Sequence, residues 1–168
     1  MAFSIYDASI PPMIRMLQSI SKIMDKAQAQ AKSEGKDLSS LLEARLAPDM
    51  HPFPRQIQIM SDAAKGAAAR LAGIEAPSMP DNETTFAELQ QRIAKTVAFL
   101  ESVKREQLAG AEERKIELKT PNRTLEFNGR DFLTQFALPN FFFHATTAYD
   151  LLRHKGIAIG KMDYLGGA

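Results

Sequence analysis

Lys115-Ile116-Glu117-Leu118-Lys119-Thr120-Pro121-Asn122-Arg123-Thr124-Leu125-Glu126-Phe127-Asn128 alternates apolar and polar side chains on either side of a Thr-Pro-Asn-Arg turn. That period of two predicts a β-hairpin with one wet face. A lone hairpin is marginal in water, so Ile116, Leu118, Leu125 and Phe127 must pack on something larger. Outside this stretch the apolar period is three to four, the signature of helices.

Upstream, Phe86, Leu89, Ile93, Val97, Leu100 and Val103 make one helical stripe, opened by the capping box Thr85-Phe86-Ala87-Glu88. Before it, Pro54 starts a helix with Ile57, Met60, Ala64, Ala67, Ala68 and Leu71 on its inner side, and Gly73 is placed to end it. Its run of small residues at 63–69 suits close helix–helix contact. The three prolines at 48, 52 and 54 force an extended entry. Earlier still, Pro11 and Pro12 are expected to open a helix striped by Met13, Met16, Leu17, Ile20, Ile23, Met24, Ala27 and Ala31, closed by Gly35. A short helix is expected over 38–46, capped by Asp37.

Downstream of the hairpin, Asp131 is expected to cap a short helix over Phe132, Leu133 and Phe136. Pro139 then kinks or restarts the chain into a last helix reaching Lys155 and closed by Gly156. The glycine-rich tail at 157–168 should fold back, with Tyr164 and Leu165 as its anchors. Four long helices, a short one and a hairpin before the last make a mainly α four-helix bundle. One domain over 1–168 is expected.

The 168 residues are 45% apolar and 24% charged, enough to bury a core without metal or disulfide. Lys and Arg number 21 against 20 acids, so no basic field for nucleic acid exists. Cysteine is absent, which removes disulfides, thiolate metal sites and a cysteine nucleophile. The first residues lack the basic start and apolar run of a signal peptide, and no stretch approaches the roughly 20 apolar residues of a membrane span. A cytoplasmic protein with no nucleic-acid and no membrane partner is expected.

Gly156-Ile157-Ala158-Ile159-Gly160-Lys161 is one residue short of a phosphate-binding loop, has no Ser or Thr after the lysine and follows a helix. Lys104, Arg105, Arg114 and Lys115 alternate with Glu101, Glu106, Glu112 and Glu113, a pattern read as solvated surface. Three histidines remain: His51, His144 and His154. On one helix, His144 and His154 are about 15 Å apart along the axis and about 80° around it, so they cannot share an ion. At helical spacing from His144 stand Asn140, Phe141, Thr147 and Ala148, of which only Asn140 or Thr147 could ligate, both weakly. His154 and Asp150, four apart, read as a helix ion pair.

The stretch from His144 to Gly156, with Gly160-Lys161-Met162-Asp163-Tyr164-Leu165-Gly166, Leu46-Ala47-Pro48-Asp49-Met50, Gln56-Ile57-Gln58 and Leu71-Ala72-Gly73, resembles an uncharacterised bacterial domain-of-unknown-function family in the DinB/YfiT-like superfamily of four-helix bundles. That resemblance implies a DinB/YfiT-like fold. It also implies, for many superfamily members, three metal-binding histidines: one on the second helix and two four apart on the last. Some members are thiol-dependent transferases. Here His51 lies near the first position and His144 fits one of the last, but Ala148, four residues on, cannot ligate.

The expected function is therefore a small-ligand-binding or interaction bundle with an incomplete metal–histidine triad. Its candidate ligand-binding residues are His144, Thr147, Tyr149, Asp150, Arg153 and His154. No cofactor is expected. The alternative is a divergent divalent-metal enzyme, such as a thiol-dependent transferase, drawing on His51, His144 and Asn140 or Asp49. Phe141, Phe142 and Phe143 span about 200° of a helix, more than one core can cover. A homodimer is expected on that ground.

Overall fold

The computed structural model describes residues 3–119 and 122–167. Its long helices are α1 (Ile5–Glu34), α3 (Phe53–Ala72), α4 (Phe86–Ser102) and α6 (Leu138–His154). Helix α1 packs on α4 and α6, and α3 packs on the same two, so the four close into a ring around one core. Short helices α2 (Ser39–Leu42), α5 (Gly129–Asp131) and α7 (Lys161–Tyr164) and the hairpin β1 (Lys115–Lys119) and β2 (Thr124–Asn128) complete the chain.

The apolar stripes enter the core as their spacing requires. Met13, Leu17, Ile20 and Met24 of α1 meet Ile57, Met60 and Leu71 of α3, Leu89 and Leu100 of α4, and Phe141 and Leu151 of α6, all sealed from solvent. Each large side chain so buried contributes about 1.5–3 kcal/mol. Phe53 stacks on Phe86 at 5.4 Å, joining the starts of α3 and α4. The expected hairpin forms with Ile116 opposite Phe127 and Leu118 opposite Leu125. Phe127 meets Phe132 and Phe136, which ties it to the bundle. Gly129 fits here because a side chain is excluded: an added Cβ would lie 1.8 Å from the Ala111 carbonyl oxygen.

Several boundaries differ from expectation. Helix α1 begins at Ile5, not at the prolines, because Ser4 and Asp7 form a reciprocal capping box. Arg105, in the 3₁₀ turn Arg105–Leu108, then grips both Asp7 carboxylate oxygens at 2.5 and 2.8 Å. It holds that carboxyl well below the usual carboxylate range. With both ends of the first turns secured, the helix runs through Pro11 and Pro12. Arg105 is therefore not merely a solvated charge. Neither is Arg114, which donates to the Leu71 carbonyl at 2.7 Å as α3 ends at Gly73, whose φ is +69°. Helix α2 stops at Leu42, short of the expected 46, although Asp37 does accept from the Ser39 amide and hydroxyl.

Near the last helix, Asn128 rather than Asp131 supplies the cap, accepting from the Asp131 amide at 2.8 Å. Pro139 does not restart the chain. A proline ring meets the carbonyl four residues back and brings no N–H. Over Phe132–Ala137 the turns widen to π spacing, and the helix passes through the proline into α6.

The tail folds back as expected, with Tyr164 as one anchor but not Leu165. Ile157 and Ile159 are buried, Tyr164 donates to or accepts from Thr146 at 2.9 Å, and Asp163 pairs with Lys26 at 2.5 Å. Leu165 is 43% exposed and anchors little. Deleting residues 157–168 should thus cost about 4 kcal/mol, from two buried isoleucines. Deleting only 162–168 should cost about 1 kcal/mol, from one hydrogen bond and a surface ion pair. Urea denaturation of both truncations checks the ranking; equal losses would refute it.

Candidate functional site

The prolines before α3 shape one wall of the site. Pro52 is the extended N-cap residue and Pro54 lies in the first turn, which turns the His51 carbonyl back towards the second turn of the helix. There Gln56, almost fully buried, donates its amide Nε2–H to that carbonyl at 2.9 Å. A carbonyl only accepts, so the amide orientation is fixed and Oε1 faces the other way. Oε1 meets His144 Nδ1 across the α3–α6 contact at 2.7 Å. His144 must therefore carry its proton on Nδ1, leaving the Nε2 lone pair free as an acceptor.

Burial pushes the His144 pKa down to about 4, and electrostatic interaction with His51 and with the Arg55 guanidinium pushes the same way. The imidazole is neutral at pH 7. On its flank, the exposed Phe143 ring stands edge-on at 5.2 Å. Thr147, one turn on, is buried and spends its hydroxyl proton on the Phe143 carbonyl at 2.7 Å.

The other sequence candidates lie elsewhere. Tyr149 packs edge-on against Tyr164 at 5.8 Å, beside the tail. Asp150 is half-buried, and Arg153 and His154 are exposed near the end of α6. Among the described residues Asp150 pairs with neither Arg153 nor His154, so the expected helix ion pair does not form. Asn140 lines a cleft with Asp62, Arg70 and Phe136, and Asp49 is exposed in the α2–α3 connection. The structure joins His144 to Gln56 and to the His51 backbone, with Thr147 beside it. It does not gather the six candidates into one pocket.

A metal site of the superfamily kind needs three ligands at one point. The described residues hold no group of three or more His, Cys, Asp or Glu side chains placed to bind one ion. Gln56 occupies the helical position facing His144, and Ala148 is buried where a second α6 ligand would stand. The residues present do not fit a triad.

A second polar cluster was not singled out in the sequence. Arg92 of α4 is 2% exposed and binds carboxylates from three places: Asp62 at 2.8 Å, Asp81 at 2.9 Å and Glu83 at 2.9 Å. It also donates to the Pro80 carbonyl at 3.2 Å. Ser61 and Thr96 share a buried hydrogen bond of 2.6 Å between the same two helices. Gln56 and Arg92 were both legible in one sense: each sits inside its helix's apolar stripe, among Phe53, Ile57 and Met60 or among Leu89, Ile93 and Thr96.

A family model described as a domain of unknown function (DUF1993) matches residues 5–165. The chain belongs to that family. The DUF1993 chain is also similar to a solved structure, a DinB family member protein from Shewanella denitrificans. The two share 41% identity, with a TM-score of 0.89, over 97% of this chain and 92% of that one. The fold is accordingly DinB-like, a four-helix bundle with an added hairpin. No curated protein matches the chain.

The depressed His144 pKa makes stability depend on pH. The unfolded ring takes up a proton near 6.5 and the folded ring only near 4, so stability is full above 6.5 and declines as pH falls towards 4. The decline should reach up to about 3 kcal/mol in wild type. In His144→Gln, which can still donate to Gln56, that part of the slope should vanish. Equal slopes in denaturant titrations at pH 7 and 4.5 would contradict it.

Proposed function

We propose that this DUF1993 protein is a small-ligand-binding bundle whose metal–histidine triad is incomplete. What supports the reading is the His144–Gln56 pair. Its Nδ1–H is committed, its ring is neutral at pH 7, and its Nε2 remains an acceptor beside an exposed aromatic ring. Such an arrangement recognises a small molecule that brings an N–H or O–H donor on a partly apolar body. Ligand-observed NMR with a fragment set tests it. Donor-bearing fragments should bind wild type and bind His144→Leu, which keeps the fold but has no acceptor, about tenfold more weakly, the loss of one hydrogen bond. If every binder holds both proteins equally, the reading fails.

The divergent metal enzyme remains the second reading, favoured by one observation. An imidazole whose Nδ1–H is held by an oxygen acceptor is oriented as metal-ligating histidines are. The shortage of further ligands stands against it. Equilibrium dialysis against Zn²⁺ separates the two. One equivalent of zinc that is lost in His144→Gln would put the metal reading first.

We also propose a homodimer. Phe141 is fully buried and Phe142 packs edge-on to it at 5.2 Å, but Phe143 stays 56% exposed. A second copy covering Phe143 accounts for that ring. Sedimentation should give a dimer at micromolar concentration and a shift to monomer in Phe143→Ser. A monomeric wild type would end the proposal.

A further inference from the structure

The Arg92 cluster stands beside a cleft that the His144 site does not use. It has a volume of 510 Å³ and lies between α4 and the loop at 77–83. That size falls within the range of small-molecule sites. Its apolar wall includes Met79, Pro80 and Phe99, with Phe99 half-buried.

The charged residues of the lining are Glu83, Glu88, Arg92 and Lys95, so formal charge cancels. Hydrogen-bonding capacity does not cancel. Glu83 is taken up by Arg92 at 2.9 Å and by Gln58 at 3.0 Å. Glu88 accepts from the Thr84 and Thr85 amides at 2.8 and 2.9 Å and from both hydroxyls. Both acids are engaged in holding the fold, Glu88 through Oε2. Two of the donors are not. Lys95 is exposed and has no partner among the described residues, and the buried Arg92 Nε–H has none either. A ligand entering here meets apolar walls, acids already engaged by Arg92, Gln58 and the α4 cap, and a free cation.

We propose that this cleft binds a small monocarboxylate with an apolar body, its carboxylate on Lys95 and its body against Met79, Pro80 and Phe99. The engaged acids repel such an anion less than unpaired ones, because Arg92 offsets the charge of Glu83 and the capping amides offset part of that of Glu88. An anchored apolar tail adds affinity that a lone surface ion pair lacks.

Isothermal titration with decanoate, and with decanol as its uncharged counterpart, tests the proposal. Decanoate should bind wild type more tightly than decanol does. Lys95→Gln, a change at an exposed residue, should weaken decanoate about fivefold and leave decanol unchanged. Amide NMR shifts caused by decanoate should centre on residues 77–83 and 92–99, and His144→Gln should bind it as wild type does. Equal binding of acid and alcohol, no effect of Lys95→Gln, or shifts centred on His144 would each overturn it. A failure of ligand binding at His144 leaves these outcomes untouched, so the two readings fall separately.

Discussion

A fully buried guanidinium costs several kcal/mol to desolvate, and it is held only if its partners converge on it. Arg92 imposes that constraint here. Its partners come from α3 (Asp62) and from the loop that joins α3 to α4 (Asp81, Glu83, and the Pro80 carbonyl). Neither the loop path nor the α3–α4 register can shift without stranding a charge. The neighbours reinforce the same geometry: Lys65 donates to the Pro77 carbonyl, Gln58 to Glu83, and Arg55 pairs with Asp81. A loop rich in Pro, Ser and Asn, which composition alone would leave mobile, is thereby pinned along its length. The cleft at 77–83 has a fixed wall for that reason.

The sequence disclosed those parts of the fold that local chemistry decides. Thr85 and Glu88 cap α4 as a reciprocal pair, Gly73 ends α3 in the left-handed region, and the hairpin register follows from alternation. It misled where a local rule was overridden from a distance. Two prolines ordinarily announce a helix start, yet Arg105, about a hundred residues away in sequence, secures the earlier turn at Ser4 and Asp7. Pro139 ordinarily breaks a helix, yet a widened turn before it absorbs the clash. Tyr164 and Asp163, not Leu165, fasten the tail, because their partners Thr146 and Lys26 lie on helices the tail must first reach.

The candidate site was legible in its histidine and obscure in its partner. His144 invites attention because imidazole titrates and ligates; glutamine does neither, so Gln56 carries no chemical flag. Its flag is positional, a polar residue inside an apolar stripe. Such a residue is buried at a cost unless a partner awaits it across the helix contact. The same reasoning applies to Arg92. Tyr149, Asp150, Arg153 and His154 failed to join His144 for the opposite reason: residues five to ten positions on turn to other sides of the helix, and the tail claims the first of them.

The two polar clusters meet through α3. Gln56 and Gln58 are about 200° apart around its axis, so one serves His144 on α6 while the other serves Glu83 on the α4 side. Arg55 sits between them. It pairs with Asp81 and Gln58 in the Arg92 cluster, and its charge is also one of those that depress the His144 pKa. Asp81 pairs with Arg55 and so offsets part of the positive potential around it. Had Gln56 been a carboxylate, it would have favoured imidazolium and opposed the lowering of the His144 pKa. The neutral amide instead orients the ring without charging it. An acceptor nitrogen is thus kept available at pH 7 by burial, by Arg55 and by an uncharged partner acting together.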